Sequence, residues 1–424
     1  MVWIDKLKLN KQLVRTITEA GYFTPKDIQL KTLARISGGQ DVISVGPEGC
    51  GKTTTYILAV INRLKHNPEG VPNTLILVPG KDRVLAVIEQ FESLTKNKQT
   101  QIVGLYPTPG SEAQMNALAD GADIVVATPD RARAIYLKLG LNLNKVDLFI
   151  VDDAEQIVKQ GLQLPVNELA NSITKAQHLV FTEVMHDKLN KMIAPFMKQP
   201  ALVEIEEIGE ASLETHPQVV YHVPNFGTKL NLLNLFMQDD ELFTKTVVFV
   251  NTRQTAEKVY KSLQNRLKSA VVLSKSIEEF KASDTRVLVV ANGDGETSNL
   301  NDIPFIIHFE LPIEKESFIE RITNSDPNTE DTLAITFTTD LELSMVRKIE
   351  QATGQKIPVA ELPEDLVIQK EKNIAEPEVK QSNKKKDVEP VAGEAFHEKK
   401  ASNSKTYNYS SGLKAKMNNK KKHS

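Results

Sequence analysis

The chain has 424 residues, 40% of them hydrophobic and 25% charged, and its formal net charge is −3. Because single cores rarely grow past about 250–300 residues, this length predicts two domains and an additional segment. The single cysteine, Cys50, excludes an intramolecular disulfide framework. The first residues lack the apolar core of a signal peptide, and no stretch approaches the roughly 20 apolar residues that span a bilayer. We therefore expect a cytoplasmic protein with no membrane partner.

Residues 1–370 alternate short β-branched runs with amphipathic segments. The predicted strands are 41–45, 74–78, 124–127, 148–151, 178–182, 219–223, 246–250 and 286–290, and helices at 53–65 and 83–94 follow the first two. This alternation predicts an α/β fold in which parallel sheets are covered by crossover helices. An acidic stretch that contains glycine interrupts the pattern. We therefore predict a first domain at 1–205, a linker at 206–217 and a second domain at 218–370.

The strongest chemical signal follows the first predicted strand, where the sequence runs glycine, four residues, then Gly-Lys-Thr. Gly46, Gly49 and Gly51 allow successive backbone N–H groups to turn toward a phosphate. Lys52 supplies a compact positive charge, and the hydroxyl of Thr53 can join the shell of a magnesium ion. The next helix begins here, and its N-terminus favours an anion. The motif therefore predicts nucleotide binding.

About one hundred residues further on, an apolar strand ends in the acidic run Asp152-Asp153-Ala154-Glu155. An ATPase with a phosphate-binding loop needs one acid to hold magnesium and a second to orient the attacking water. By itself the run is also consistent with an acidic helix N-terminus that is stabilised by the helix dipole. Its combination with the upstream loop favours the catalytic interpretation.

Charge divides the chain at Glu371. Residues 371–424 contain 13 lysines, no arginine and 7 acids, a net charge of +6, which leaves −9 on residues 1–370. Such a segment cannot bury enough apolar surface to offset its ordering entropy, so we predict that it is disordered. Two interpretations remain open: a solubilising tail, or an electrostatic contact with a phosphate backbone in which Tyr407 and Tyr409 stack on bases.

With these motifs in this order, residues 1–365 resemble the DEAD-box ATP-dependent RNA helicases. The resemblance implies two RecA-like domains, ATP with Mg²⁺ as the cofactor, RNA as the partner, and room for protein partners in ribonucleoprotein assembly. Gln29 stands in the frame of the family's Q motif, which implies that it reads the adenine edge. The resemblance also implies that Lys52, Asp152 and Asp153 are catalytic and that Thr53 and Asp152 hold the metal.

The resemblance extends to the segments that contact RNA in the family. Residues 79–90 resemble its first RNA-contact motif. The residues implied as RNA contacts are Thr128, Pro129 and Arg131 in the first domain and Thr252 and Arg253 in the second. Residues 334–337 and 349–363 resemble the closing strand and the last helix of the family.

Two motifs of the first domain depart from the family pattern. Asp153 replaces a glutamate and Glu155 replaces an aspartate, which leaves Asp153 one methylene short for orienting water. A displacement of about 1 Å can cost on the order of a hundredfold in rate. The run Thr182-Glu183-Val184 replaces the Ser-Ala-Thr motif that couples hydrolysis to unwinding.

The second domain departs further. A His-Gly and Gln-Arg segment is missing around 274–280, and residues 292–301 contain no arginine. The two arginines that reach the γ-phosphate in the family fall on Asn324 and Pro327. Arg321 remains in this motif, at a position that the family does not use for that contact. One such arginine contributes roughly 10³–10⁵ in turnover. The sequence therefore predicts that ATP is bound better than it is hydrolysed.

Three hypotheses remain open. In the first, the chain binds ATP and RNA but hydrolyses and unwinds poorly, and it serves as an RNA clamp or an assembly factor. In the second, it is a working RNA-dependent ATPase whose site is completed by Arg321 or by an arginine of a partner. In the third, it is a non-catalytic interaction protein in which the nucleotide is structural.

Overall fold

The computed structural model describes residues 9–64, 70–95, 99–206, 213–267, 271–273, 276–292, 300, 302–323 and 332–370. All of these residues belong to one compact unit, Met1–Glu371. The lysine-rich segment and its tyrosines, Tyr407 and Tyr409, lie outside the described residues. What we expect of that segment stays a prediction.

The first sheet has seven strands, and every pair of neighbours is parallel. In chain order the strands are β1 (Val42–Val45), β2 (Thr74–Leu77), β3 (Ile102–Leu105), β4 (Ile124–Ala127), β5 (Leu148–Val151), β6 (Gln177–Thr182) and β7 (Ala201–Glu204). They lie side by side in the order β3-β4-β2-β5-β6-β1-β7. The helices of this part are α1 (Lys11–Glu19), α2 (Asp27–Ser37), α3 (Lys52–Arg63), α4 (Lys81–Leu94), α5 (Glu112–Ala119), α6 (Pro129–Leu137), α7 (Ala154–Lys159), α8 (Gln163–Ser172) and α9 (Asp187–Ile193).

The second sheet repeats this architecture with seven parallel strands. They are β8 (Gln218–His222), β9 (Thr246–Val250), β10 (Val271–Leu273), β11 (Val287–Ala291), β12 (Phe305–His308), β13 (Leu333–Thr338) and β14 (Val359–Ala360), in the order β10-β11-β9-β12-β13-β8-β14. The helices are α10 (Phe226–Phe236), α11 (Arg253–Leu267), α12 (Ile277–Lys281), α13 (Lys315–Ile322) and α14 (Leu343–Thr353).

Helices on both faces of each sheet explain why the central strands are continuous apolar runs. In β1, Ile43 and Val45 belong to one buried cluster and Val42 belongs to another. Since neighbouring residues of a strand point to opposite faces, these clusters lie on either side of the first sheet. Strand β9 divides between two clusters in the same way. The predicted fold class is therefore confirmed: the chain has two RecA-like α/β units, each built on a parallel sheet with helices on both faces.

The alternating pattern missed six of these strands, and the family resemblance supplied one of the six, β13, at 334–337. Four of them, β3, β7, β10 and β14, are the edges of the two sheets and pair on one side only. Their residues are partly exposed, so they lack the continuous apolar run that marks a central strand. Strand β12 is central, but it has four residues and ends in a buried histidine, His308, which shortens its apolar run.

The expected last helix at 349–363 is wrong in its bounds. Helix α14 spans Leu343–Thr353, and Gly354 ends it with a left-handed backbone, φ 70°. Glycine adopts this conformation without a steric penalty, which makes it a common helix stop. The chain then leads into the short strand β14.

The domain bounds stay a prediction because residues 207–212 lie outside the described part. At the end of the predicted linker, the N–H of His216 donates to the carbonyl of Ile322, and Thr215 bridges to Thr323. These linker residues are therefore already bonded to the end of α13. In the part of the chain that the structure describes, no helix is both long and apolar enough to cross a membrane.

Candidate functional site

The phosphate-loop motif connects the carboxyl end of β1 to the first residue of α3. Gly49 and Gly51 have φ values of 80° and 101°, a left-handed region in which glycine is favoured. A Cβ atom on Gly51 would also stand 3.2 Å from Lys26 and 3.3 Å from Gln29, tighter than most real contacts. Here glycine is required both by the backbone conformation and by the close approach of α2.

Lys52 is the first residue of α3 and is only 6% exposed. Its ammonium donates hydrogen bonds to the carbonyl oxygens of Gly46 at 2.6 Å and Pro47 at 2.8 Å. The loop therefore curls around the charge that we expect to meet a phosphate. Lys26 donates to the carbonyl of Gly49 on the other side of the loop.

Gln29 lies beside this loop, as the resemblance implies. It is buried in the first turn of α2, and its side-chain oxygen accepts the N–H of Lys26 at 2.9 Å. Its amide nitrogen is the group that faces Gly51. The structure thus brings Gln29 to the loop, and its contact with adenine stays a prediction.

The acidic run begins where β5 ends, on the same sheet edge as the loop. Asp152 is fully buried, and its Oδ2 accepts the hydroxyl of Tyr56 at 2.9 Å. Asp153 adopts a left-handed backbone, φ 48°, immediately before α7. Asp153 lines the cavity beside the loop, whereas Asp152 does not.

An arginine that the sequence analysis did not single out lies between these carboxylates. Arg83 Nη2 donates to Asp152 Oδ2 at 2.7 Å and to Thr53 Oγ1 at 2.6 Å. Its Nε forms an ion pair with Asp153 Oδ2 at 2.8 Å. Residue 83 falls in the segment that resembles an RNA-contact motif. The sheet order explains the difference, because β2, which precedes α4, lies next to β5, and chain order does not reveal that neighbour.

Burial and neighbouring charge set the electrostatics of this cluster. Burial, followed by the negative charge of Asp152, raises the pKa of Asp153 to about 7, and the charge of Arg83 opposes that rise. Burial by itself would lower the pKa of Arg83, but Asp152 and Asp153 outweigh it and raise that pKa above its ordinary value. Arg83 therefore stays cationic while Asp153 becomes easier to protonate.

The position of Arg83 bears on the Mg²⁺ ion that the family resemblance implies. An Mg²⁺ ion stands about 2.1 Å from its oxygen ligands. The two predicted ligand atoms, Thr53 Oγ1 and Asp152 Oδ2, converge on Arg83 Nη2 instead. The residues present therefore do not fit the ion unless the guanidinium moves away. Nor do the described residues include a group of three or more His, Cys, Asp or Glu side chains placed to hold a metal.

The altered acidic run contacts the altered Ser-Ala-Thr position. Glu155 Oε2 accepts the hydroxyl of Thr182 at 2.6 Å and the N–H of Glu183 at 3.1 Å. The longer side chain of Glu155 thus connects α7 to the end of β6. Glu183 is 8% exposed, and burial followed by the charge of Glu155 raises its pKa.

A cavity of about 540 Å³ lies against the loop. It is lined by the predicted nucleotide residues Gly49, Gly51, Lys52 and Thr53, by Asp153, and by Glu48, Thr54, Arg83, Gln90, Glu155, Gln156, Glu183 and Lys348. Its volume lies within the range of small-molecule sites. Lys348 comes from α14 and pairs with Glu48 at 2.9 Å and Glu183 at 3.7 Å. Its hydrogen bond is the main reason that the pKa of Glu48 is lowered.

The RNA-contact candidates of the first domain differ in accessibility. Thr128 is 2% exposed and Pro129 is buried at the start of α6. Arg131 Nε donates to Gln114 of α5 at 2.7 Å, and its Nη2 donates to Thr108, in the loop after β3, at 3.1 Å. Of the three, Arg131 is the one with a partly accessible side chain.

In the second domain, Thr252 and Arg253 are exposed at the start of α11. Thr252 Oγ1 accepts the N–H of Thr255 at 3.1 Å, as a helix cap does. Arg321 does not line the cavity beside the loop. It donates to Asn292 Oδ1 at 2.6 Å and lies 3.9 Å from the ring centre of Phe249.

Several predicted departures lie outside the described residues. They include Asn324 and Pro327. They also include residues 274–275, where the His-Gly and Gln-Arg segment of the family is missing, and residues 293–299 and 301 of the stretch without arginine. What we expect of them rests on the sequence.

The fold and this edge define a two-domain RecA-like protein with a phosphate-binding loop. Residues 26–192 match the family model described as DEAD/DEAH box helicase. The chain is 26% identical over 370 residues to the ATP-dependent RNA helicase DeaD of Buchnera aphidicola subsp. Schizaphis graminum. It is also 25% identical over 369 residues to the RNA helicase CrhR of Synechocystis. These matches support the resemblance of the chain to the DEAD-box helicases.

These matches differ in extent. The alignment with DeaD covers 84% of this chain and 60% of that relative, and the alignment with CrhR covers 84% and 74%. The solved structure of a DEAD box protein from Methanococcus jannaschii is 23% identical, with a TM-score of 0.48 over 84% of this chain and 98% of that one.

Proposed function

We propose that the chain binds ATP in the cavity beside the phosphate-binding loop, binds RNA, and hydrolyses ATP slowly or not at all. It would then act as an RNA clamp or an assembly factor in ribonucleoproteins. The ion pair between Asp153 and Arg83, 2.8 Å long, supports this proposal most directly. Asp153 stands where the family orients the attacking water, and a cation of the chain itself already engages its carboxylate.

The binding half of the proposal is supported by the loop and its cavity. Lys52 and Thr53 line the cavity at the N-terminus of α3, where the helix dipole also favours an anion. Gln29 lies against Gly51, within reach of a base bound beside the loop. All of these groups belong to the first sheet and its helices, so binding does not depend on the second.

The second sheet offers this cavity little that would accelerate hydrolysis. Among the described residues, its side chain that lines the cavity is Lys348, and that charge is matched by Glu48 and Glu183. Arg321 is held away, against Asn292 and Phe249. Since an arginine finger contributes roughly 10³–10⁵ in turnover, its loss would leave ATP bound but slowly hydrolysed.

RNA binding is expected of the family in general. The two relatives named above, both RNA helicases, agree with that expectation. Arg131 and Arg253 are the candidate cations for phosphates on the two domains. The lysine-rich segment 371–424 would add contacts that carry no sequence preference. The slope of log affinity against log salt should become shallower when residues 399–424 are deleted.

ATP turnover with and without single-stranded RNA tests the proposal. Purified protein should turn over ATP at the background of its Lys52→Ala variant, and a labelled RNA should bind more tightly when ATP is present. RNA-stimulated turnover clearly above that background contradicts the proposal. ATP affinity that is unchanged by Lys52→Ala contradicts the assignment of the loop.

A working RNA-dependent ATPase is the second candidate, and one observation favours it. Glu155 still contacts Thr182 and Glu183, which keeps the acidic run joined to the segment that couples hydrolysis to unwinding in the family. This candidate predicts RNA-stimulated turnover that Arg321→Met abolishes if Arg321 moves into the site on closure. The clamp predicts that Arg321→Met leaves ATP affinity unchanged.

A further inference from the structure

Arg83 brings a fixed positive charge to the edge of the loop. It lies in the first turn of α4, with a side chain that is 32% exposed, and Tyr56 packs beneath Asp152 as part of the same cluster. Its Nη2 lies 2.6 Å from Thr53 Oγ1 and 2.7 Å from Asp152 Oδ2. Two helices, α3 and α4, and the end of β5 hold these atoms, so the guanidinium is positioned by the scaffold.

We propose that the guanidinium of Arg83 takes the place of the magnesium ion, so that this loop binds a nucleoside diphosphate or triphosphate without a divalent cation. The inference rests on the nucleotide-binding function proposed above. The two oxygens that would hold the ion already bond to one nitrogen of Arg83. The ion and the guanidinium cannot share that position.

The balance of charge in the cavity supports the replacement of the magnesium ion by the guanidinium. Asp152 and Asp153 both face Arg83, while Glu48 and Glu183 both face Lys348. Each pair of carboxylates is thus met by a cation of the chain before any ligand arrives. Lys52, bonded to two loop carbonyls, pairs with no carboxylate of the described residues and is left to meet the phosphates.

Arginine is chemically suited to the task. Its guanidinium is planar, stays charged and carries five N–H donors in a geometry that matches phosphate oxygens. Nη2 and Nε contact Thr53, Asp152 and Asp153, whereas Nη1 takes part in none of these contacts. A β- or γ-phosphate oxygen that accepts from Nη1 would gain a charge-assisted hydrogen bond.

The test is the affinity for radiolabelled ATP, measured by equilibrium dialysis with Mg²⁺ and with EDTA. Wild-type protein should bind with similar affinity in both buffers. Arg83→Met should bind at least about tenfold more weakly in EDTA, since a charge-assisted hydrogen bond is lost, and should regain affinity with Mg²⁺. The matched control is Arg133→Met, which removes another paired arginine, bonded to Glu168 on α8, and should behave as wild type.

The outcomes separate the two proposals. Wild-type binding that is at least about tenfold weaker in EDTA than with Mg²⁺ overturns this inference and leaves the nucleotide-binding function standing. Wild-type binding in neither buffer overturns both. Because the wild-type comparison needs no variant, it decides the inference even if Arg83→Met fails to fold.

Discussion

The carboxyl edges of the two sheets are built from similar elements but treat their polar side chains differently. At the first edge, Lys52, Arg83 and Asp153 line a cavity of about 540 Å³. At the second edge, Asn292 donates to Asn251 Oδ1 at 2.6 Å and accepts from Arg321 at 2.6 Å. The first edge turns its charges toward a space that a ligand can enter, whereas the second joins its polar groups to one another.

The second edge is closed further by carboxylates that satisfy its own backbone and side chains. Glu310 accepts the N–H of Asn251 at 2.8 Å. Lys229, 2% exposed, donates to Glu342 at 2.6 Å and to the carbonyl of Phe309 at 2.9 Å. Because buried polar groups are costly when unpaired, this network stabilises the fold and engages the donors of these residues within the protein itself.

The same parallel-sheet architecture can therefore form a binding edge or a structural edge. Which one it forms depends on whether its charged side chains line a cavity or bond to other groups of the protein. Substitutions at the second edge should therefore change the free energy of unfolding. Substitutions at the first should change ligand affinity. Four predictions test this division between stability and ligand affinity, and they run from the largest expected effect to the smallest.

Lys229→Met should cause the largest loss of stability. The change leaves Glu342 and the carbonyl of Phe309 without their buried cation, at a cost of about 3 kcal/mol in the free energy of unfolding. Urea denaturation measures it. The exposed lysine of α11, replaced in Lys258→Met, is the matched control and should stay within about 0.5 kcal/mol of wild type. A loss below about 1 kcal/mol for Lys229→Met would contradict the claim that the second edge is a structural one.

Lys52→Met, at the first edge, should lower ATP affinity strongly and stability only slightly. It removes hydrogen bonds to two loop carbonyls, so the free energy of unfolding should fall by only about 1 kcal/mol. ATP affinity should fall about a hundredfold, because a cation that meets phosphate is lost. Isothermal titration calorimetry measures the affinity, and Lys31→Met, an exposed lysine on α2, is the control. Equal losses of stability at Lys52 and Lys229 would contradict the division.

His308 makes the second edge sensitive to acid. It is fully buried between Phe249 and Phe318, and burial, followed by the charge of Arg321, holds its pKa well below the ordinary value. Below about pH 6.5 the unfolded chain therefore binds a proton that the folded chain does not. Stability should be full above that pH and should fall toward acid by about 1.4 kcal/mol per pH unit.

His308→Phe should remove that share of the pH dependence, and urea denaturation at several pH values measures it. The control is His222→Phe, which replaces a more accessible histidine that bonds to Asp340. A variant with the wild-type slope would show that His308 does not titrate on unfolding.

Lys348→Met should have the smallest effect, although it joins the two edges. The closer of its two ion pairs, with the exposed Glu48 at 2.9 Å, is open to solvent, and the buried carboxyl of Glu183 stands further away, at 3.7 Å. The free energy of unfolding should therefore change by less than about 1 kcal/mol, and by less still at high salt. A double-mutant cycle with Glu48→Gln measures the coupling. A coupling above about 2 kcal/mol would mean that Lys348 is a structural element of the first edge.

Much of the site was readable from the chain because its parts are local. The loop from Gly46 to Thr53 follows one strand and begins one helix, so spacing alone places its glycines, its lysine and its hydroxyl. The acidic run directly follows another apolar strand, β5, so it is equally local. Parallel strands present their carboxyl ends at one edge of the sheet, which is why these two motifs lie on the same side.

Other features depend on neighbours that chain order does not reveal. The edge strands lack the apolar run that marks a buried strand, and the last helix ends at Gly354 rather than at the residues that the family pattern suggested. Arg83 was assigned to an RNA-contact segment because its place in the sequence said nothing of Asp152 or Thr53.

By itself, the sequence determined the fold class, the phosphate-binding loop, the acidic run and the altered motifs, since each is written in a short continuous stretch. Only the tertiary structure decided which charges meet. The order β2-β5 places Arg83 on the carboxylates of the first edge, and the packing of α13 turns Arg321 away from the cavity. Side chains far apart in the chain interact only after the sheets have formed, and that encounter separates a binding edge from a structural one.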